Sequence, residues 1–79
     1  MTTLNTLITG ITVTRIPGGY TAWAVYLTEY SVVALRKRTD ETPRLAIANL
    51  CYDLRSLDVV VPDEVELKAV EEYVFKHEL

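Results

Sequence analysis

Alternating apolar and polar residues in the first half of the chain predict β-strands. Residues 7–39 are rich in Thr, Val, Ile and Tyr, and Ile11 and Val13 alternate with threonines. Successive side chains of a strand point to opposite faces of a sheet, so this period of two is typical of a half-buried strand. The pattern therefore places the sheet in the N-terminal half of the chain.

The dipeptide Pro17-Gly18 predicts a tight turn between two of these strands. Proline sets the negative φ of the first central position in a type II turn, and glycine accepts the positive φ of the second. The sequence therefore predicts a β-hairpin that joins residues 7–16 to residues 20–28.

Residues 30–38 suit two structures. Ser31 could cap two turns of helix, whereas the β-branched pair Val32-Val33 and the lack of a helix-ending glycine favour a third strand. We predict the strand, which extends the hairpin into an antiparallel meander.

Thr42-Pro43 predicts the start of a helix that runs to about residue 57. A threonine side chain can cap the free N–H groups of a helix, and proline is tolerated at the first helical position. The apolar residues that follow recur at spacings of three and four, as one buried stripe requires. This stripe consists of Ile47, Leu50, Cys51, Leu54 and Leu57.

A second helix is predicted from Asp63 onward. The preceding residues 58–62 suit a brief edge strand or an extended connector, because they are β-branched and end in proline. Asp63 with Glu66 three residues later resembles a capping box. The apolar stripe of this helix consists of Leu67, Val70 and Val74, with Tyr73 beside them.

These elements predict an α+β fold in the order β-β-β-α-(β)-α. It is a single domain over residues 1–79, in which two helices pack on a three- or four-stranded, mostly antiparallel sheet. A chain of 79 residues builds a core of marginal stability unless a disulfide, a metal or a partner supports it. Because the sequence has a single cysteine, we expect self-association, most simply as a homodimer.

The choice of the buried sheet face depends on Trp23. If Trp23 points into the core, the inner set is Ile11, Val13, Trp23, Val25, Leu27, Val33 and Leu35. The outer face then carries Tyr20, Ala22, Ala24, Tyr26, Tyr30, Val32, Ala34, Arg36 and Arg38. That face is unusually apolar for one exposed to water.

Three interpretations compete for this outer face. The C-terminal helix or the N-terminal segment could cover it within the monomer, a second copy or another protein could bind it, or single-stranded nucleic acid could stack on its tyrosines. We favour a protein interface centred on Tyr20, Ala22, Ala24 and Tyr26. Nucleic acid is the alternative, and the acidic remainder of the chain argues against it.

The charge is divided between the two parts of the chain. Residues 1–57 carry six basic and four acidic residues, for a net charge of +2, whereas residues 58–79 carry two lysines and seven acidic residues, for −5. Arg36 and Arg38 belong to a short basic run that could guide nucleic acid or keep a strand edge from pairing. Glu71 and Glu72 lie in the acidic helix, which is either a solvated face or a contact for a basic partner.

Residues that support catalysis are sparse. Cys51 lies in an apolar stripe, where a thiol acts as a small hydrophobic group, and His77 lies near a helix end, where its charge favours the helix dipole. We therefore expect a non-enzymatic protein with no metal and no cofactor. No apolar run reaches the ~18 residues of a membrane span, and the start lacks a basic secretory signal, so we expect a cytoplasmic location and a reduced thiol.

The meander of residues 11–38 runs into the segment Thr42-Pro43-Arg44-Leu45-Ala46-Ile47-Ala48-Asn49-Leu50. This layout resembles small uncharacterised proteins encoded by phages and prophages, which often pair such a sheet with a Thr-Pro helix rich in Ala and Leu. The resemblance covers the middle half of the chain and carries over no functional residue. It implies a non-enzymatic accessory role, such as binding and inhibiting a host protein, and anti-CRISPR proteins are one such class.

Overall fold

A computed structural model describes residues 8–28, 30 and 32–75, and within them it shows an α+β fold. An antiparallel meander of three strands is followed by two helical segments. The elements are β1 Thr12–Ile16, β2 Gly19–Leu27, β3 Val33–Asp40, α1 Pro43–Ser56 and α2 Asp63–Ala69, which continues as a π-helix over Val70–Phe75. The predicted fold class is confirmed, and the segment that suited two structures is a strand. The predictions for Leu7, Ser31 and His77 lie outside the described residues.

The turn between β1 and β2 sets the register of the sheet. Gly18 has a φ of +87°, as the second central position of a type II turn requires. The turn pairs Ile16 with Gly19. Gly19 is needed for a separate reason, because a Cβ atom there would clash with the backbone oxygen of Asp40 at the end of β3.

The buried face of β2 and β3 is the face that we predicted to be exposed. Directly opposed residues of paired strands share a face, and Val13 on β1 lies opposite Ala22. Ala22 and Ala24 are 0% and 2% exposed, and the half-buried Tyr20 and Tyr26 pack against the same core. The large apolar residues on the other face are about half exposed or more, so their predicted place in the core is wrong: Val25, Leu27, Val33 and Leu35.

Helix α1 covers the sheet face that carries Ala22 and Ala24, because small side chains let a helix approach a sheet closely. Thr42 caps α1 as predicted, with its hydroxyl accepting a hydrogen bond from the Leu45 N–H at 3.1 Å. Four residues of the predicted stripe are buried, namely Ile47, Leu50, Cys51 and Leu54. Leu57, predicted to join them, is half exposed because the helix ends at Ser56.

The C-terminus of α1 forms a Schellman motif. The Val59 N–H donates to the Leu54 carbonyl at 3.0 Å, and the Asp58 N–H donates to the Arg55 carbonyl at 3.1 Å. Asp58 occupies the left-handed position of this motif, with a φ of +62°. Glycine is the usual residue there, so Asp58 is a point of backbone strain.

Helix α2 begins without the predicted capping box. Asp63 is its first helical residue and not its cap, and Pro62 at the N-cap position offers no side-chain hydrogen bond. Glu66 instead forms an ion pair with Arg55 of α1 at 3.0 Å, and the same guanidinium donates to the Val61 carbonyl at 3.0 Å. These contacts hold the start of α2 against α1.

The segment between the helices is an extended connector with one bridge, in which the Ile8 N–H donates to the Val60 carbonyl at 3.0 Å. The helical segment that follows buries a stripe at spacings of about four residues, formed by Val65, Ala69, Val70, Tyr73 and Val74. Leu67 points away from this stripe and is exposed, so its predicted burial is wrong.

Candidate binding surface

The residues predicted to form the centre of a partner interface are buried or half-buried against the core. Ala22 and Ala24 are buried, and Tyr20 and Tyr26 lie at the border of the same core. The cover is α1, which contacts both β2 and β3. The prediction that this face is open to a partner is therefore wrong.

Arg36 and Arg38 lie at the rim of the covered face and are paired. Both guanidinium groups contact Oδ2 of Asp53 on α1, at 3.5 Å and 3.2 Å. A platform for single-stranded nucleic acid needs open aromatic rings beside free guanidinium groups. Because Tyr20 and Tyr26 are half-buried against the core, the geometry does not favour the nucleic-acid alternative.

The opposite face of the sheet is apolar and open. It carries two cross-strand pairs, Val25 with Leu35 and Leu27 with Val33, and Trp23 lies next to them on β2. The four paired side chains are about half exposed or more, and Trp23 is half-buried. We refer to these five residues as the apolar sheet face. A contiguous apolar surface on a small domain often marks an interface.

Hydroxyl groups border one end of the apolar sheet face. The hydroxyl oxygens of Thr21 and Thr39 lie 3.1 Å apart, and the Trp23 indole N–H donates to the Thr14 hydroxyl at 3.4 Å. Among the residues of β1, β2 and β3 on this face, Lys37 is the one that carries a charge. The face is thus apolar in its middle and weakly polar at this end.

Tyr30, another predicted partner residue, is exposed in the turn between β2 and β3. The Thr28 N–H donates to the Val32 carbonyl at 2.9 Å, and the Val32 N–H donates back to the Thr28 hydroxyl at 3.2 Å. The side chain of Val32 is also exposed. Val32 directly precedes Val33, and successive residues of an extended chain point to opposite faces, so neither exposed residue is counted in the apolar sheet face.

Glu71 and Glu72, the remaining predicted partner residues, are exposed on the π-helical segment. This segment and α2 both contact α1, and we refer to these three helical segments as the helical layer. They therefore lie on the other side of the sheet from the apolar sheet face. The protein presents two surfaces of different chemistry, one apolar and one acidic.

Comparisons with family models, curated proteins and solved structures find no match for this chain. The function is therefore argued from the surfaces themselves. Within the described residues, no group of three or more His, Cys, Asp or Glu side chains is placed to hold a metal ion. No helix in that part of the chain is long and apolar enough to cross a membrane.

Cys51 is fully buried in the stripe of α1, as predicted. Burial raises the pKa of its thiol from 9.0 to about 11, and the carboxylate of Glu66 adds to the rise while Arg55 opposes it. A nucleophilic cysteine needs a lowered pKa and access to a substrate. Cys51 therefore acts as a small hydrophobic side chain of the core.

Sequence reasoning missed the apolar sheet face, although one signal was present. A two-residue turn at Pro17-Gly18 pairs Ile16 with Gly19, and counting three residues along each strand brings Val13 opposite Ala22. Since opposed residues share a face, a buried Val13 requires a buried Ala22. The turn thus places Val13 and Trp23 on opposite faces of the sheet, whereas the predicted inner set contains both residues.

Proposed function

We propose that this protein acts by binding another protein chain through the apolar sheet face, without catalysing a reaction. The observation that carries the proposal is the exposure of Val25, Leu27, Val33 and Leu35, side by side, on a sheet whose other face is already covered. Contact between such a surface and water is unfavourable, and a protein surface of matching shape relieves it.

The dimensions of the face set the strength of binding. The sheet has three strands, and β2 has nine residues. With a rise of roughly 3.3 Å per residue and about 4.8 Å between strands, this whole side of the sheet measures about 30 by 14 Å, or about 400 Å², which is an upper bound for the apolar sheet face. Full burial is worth up to about 10 kcal/mol at ~25 cal/mol per Å². Association costs on the order of 4–15 kcal/mol, so we expect reversible binding of modest affinity.

A binding role agrees with the accessory function implied by the resemblance to phage-encoded proteins, and we include that role in the proposal. The acidic surface around Glu71 and Glu72 supports it as a second contact for a basic partner. Acidic residues are also common on solvated helices, so the apolar sheet face carries the proposal.

Photo-crosslinking in the cells that produce the protein tests this proposal. A photoreactive phenylalanine analogue replaces Val33, which is 68% exposed on the apolar sheet face. The matched control replaces Tyr52, which is 73% exposed on α1. We expect a crosslinked protein from position 33 and none from position 52. No product from position 33, or equal products from both positions, would contradict the proposal.

The acidic surface is tested in the same assay. Reversing the charge of Glu71 and Glu72 to lysine leaves the sheet unchanged, because both residues are exposed in the helical layer. If the crosslinked product from position 33 persists, the contact belongs to the apolar sheet face alone. If it disappears, the acidic surface contributes to binding of the same partner.

A further inference from the structure

We infer that the partner of the apolar sheet face is a second copy of this chain, packed sheet against sheet about a twofold axis. The inference rests on the proposed function, because it names the occupant of the same face. The dimer consists of four layers, with the two sheets inside and a layer of helices on each outer side. Sheets pack in this way at a spacing of about 10 Å, with their side chains interdigitated.

The distribution of charge fits a second copy. The strand residues of the face carry no carboxylate, and Lys37 is their one charge. Each chain has a net charge of −3, but Glu71 and Glu72 lie in the helical layer, on the far side of the sheet. Two chains that approach through their sheets therefore bring nearly uncharged surfaces together and keep these acidic surfaces apart.

The two Lys37 side chains also avoid each other in this arrangement. The pair of Val25 and Leu35 lies in the middle of the face, and Lys37 is two residues further along β3, about 7 Å away. Consider a twofold axis that lies midway between the two sheets, next to this pair and at right angles to the strands. The two lysines are then about 14 Å apart along the strands and about 10 Å apart between the sheets. The resulting ~17 Å exceeds the Debye length of ~8 Å at physiological salt, so their repulsion is screened.

A second copy also explains why the face offers so few groups for recognition. An unrelated protein is usually selected by charges or hydrogen bonds that reject competitors. This face offers one ammonium group and a row of threonine hydroxyls at one end. A twofold contact places the same patch on both copies, so apolar side chains meet apolar side chains and no charged group on a partner is required.

The area of the face predicts a weak dimer. Two sheet sides of at most about 400 Å² each bury at most about 800 Å² in total, below the ~1,200 Å² at which stable specific interfaces begin. We therefore expect a dissociation constant no tighter than roughly micromolar, and a dimer population that depends on concentration.

Sedimentation velocity between about 1 and 300 µM tests the inference, because this span covers micromolar dissociation constants. The wild-type mass should rise from 8.9 kDa towards twice that value. Leu35→Lys on the face and Leu67→Lys on α2 form a matched pair, since these leucines are 58% and 56% exposed. We expect Leu35→Lys to weaken the dimer by roughly tenfold or more and Leu67→Lys to leave it unchanged. Circular dichroism confirms that both variants are folded.

Chemical crosslinking gives a second readout that does not depend on the Leu35→Lys variant. Val25→Cys places a thiol beside the proposed axis, Leu67→Cys is the control, and the native Cys51 is buried. A bis-maleimide that spans the ~10 Å between packed sheets should join Val25→Cys chains into dimers and leave Leu67→Cys chains single.

Either of two results overturns the inference: a wild-type chain that stays monomeric at the highest concentration, or equal crosslinking of the two cysteine variants. If position 33 then still photo-crosslinks to a different protein, the proposed function stands and only the identity of the partner is wrong. If position 33 gives no product as well, both the inference and the proposed function fail.

Discussion

Replacing Ala24 with leucine tests which face of the sheet is buried. Ala24 is 2% exposed on β2 and belongs to the core cluster beneath α1. Leucine puts an isobutyl group where the core holds a methyl group, and overpacking of this kind costs about 1–3 kcal/mol. Val25→Leu is the matched control, because Val25 is half exposed on the opposite face and should change stability by less than about 0.5 kcal/mol.

The expected loss is a large share of the stability of this protein. A domain of 79 residues has a free energy of unfolding of about 4–12 kcal/mol, at roughly 0.05–0.15 kcal/mol per residue. A loss of about 2 kcal/mol lowers the Tm by about 8–16 °C in a domain of this size. It also lowers the urea midpoint by about 1–2 M if the m-value is roughly 1–2 kcal/mol per M.

Urea unfolding followed by the fluorescence of Trp23, the single tryptophan, measures both variants. The protein is kept at a low micromolar concentration so that self-association does not add to the apparent stability. The assignment of the faces is refuted if Ala24→Leu unfolds at the wild-type urea concentration, or if Val25→Leu loses as much stability as Ala24→Leu.

Three further predictions each concern one residue: Asp58, Asp53 or Cys51. Asp58→Gly should raise the free energy of unfolding by about 0.5–1 kcal/mol, because glycine adopts a φ of +62° without the Cβ penalty; Asp58→Ala serves as the control, and an equal gain from it would contradict this reason. Asp53→Ala should cost about 1 kcal/mol in urea unfolding by leaving Arg36 and Arg38 unpaired, and a loss that does not shrink at high salt would speak against an ionic cause. The Cys51 thiol should not react with a thiol reagent in the folded protein at pH 8, and rapid labelling there would contradict its burial. Burial raises the pKa of this thiol from 9.0 to about 11, so the folded state favours the neutral thiol. The stabilisation from the neutral thiol is complete below pH 9 and is lost as the pH rises to 11. Urea unfolding measured across that pH range checks this loss.

Features that depend on a few neighbouring residues were predictable from the sequence. Pro17-Gly18 forms the expected turn, Thr42 caps the helix that starts at Pro43, and the stripe from Ile47 to Leu54 is buried. Each of these depends on backbone angles or on a repeat within one element. Such signals do not depend on which other element packs against the segment.

The candidate site could not be predicted from hydropathy alone, because β2 is apolar on both faces. Ala22, Ala24 and the tyrosines line one face, and Trp23, Val25 and Leu27 line the other. Ranking the faces by side-chain size favours burial of Trp23, and this is wrong because α1 packs against the face with the smaller side chains. Local pattern also fails for Glu66. The pattern predicts that Glu66 belongs to a capping box, but its carboxylate instead forms an ion pair with Arg55 of α1.

The sequence by itself determined the α+β class, the order of the strands and helices, the β1–β2 turn and the start of α1, since these depend on local conformational preferences and periodicity. The tertiary structure decided which sheet face α1 covers, and so which sheet residues remain uncovered. Shifting a strand's assignment by one residue exchanges its two faces, and only the pairing with β1 and the packing of α1 distinguish them. The apolar residues left on the uncovered side of the sheet are therefore those of the apolar sheet face: Trp23, Val25, Leu27, Val33 and Leu35.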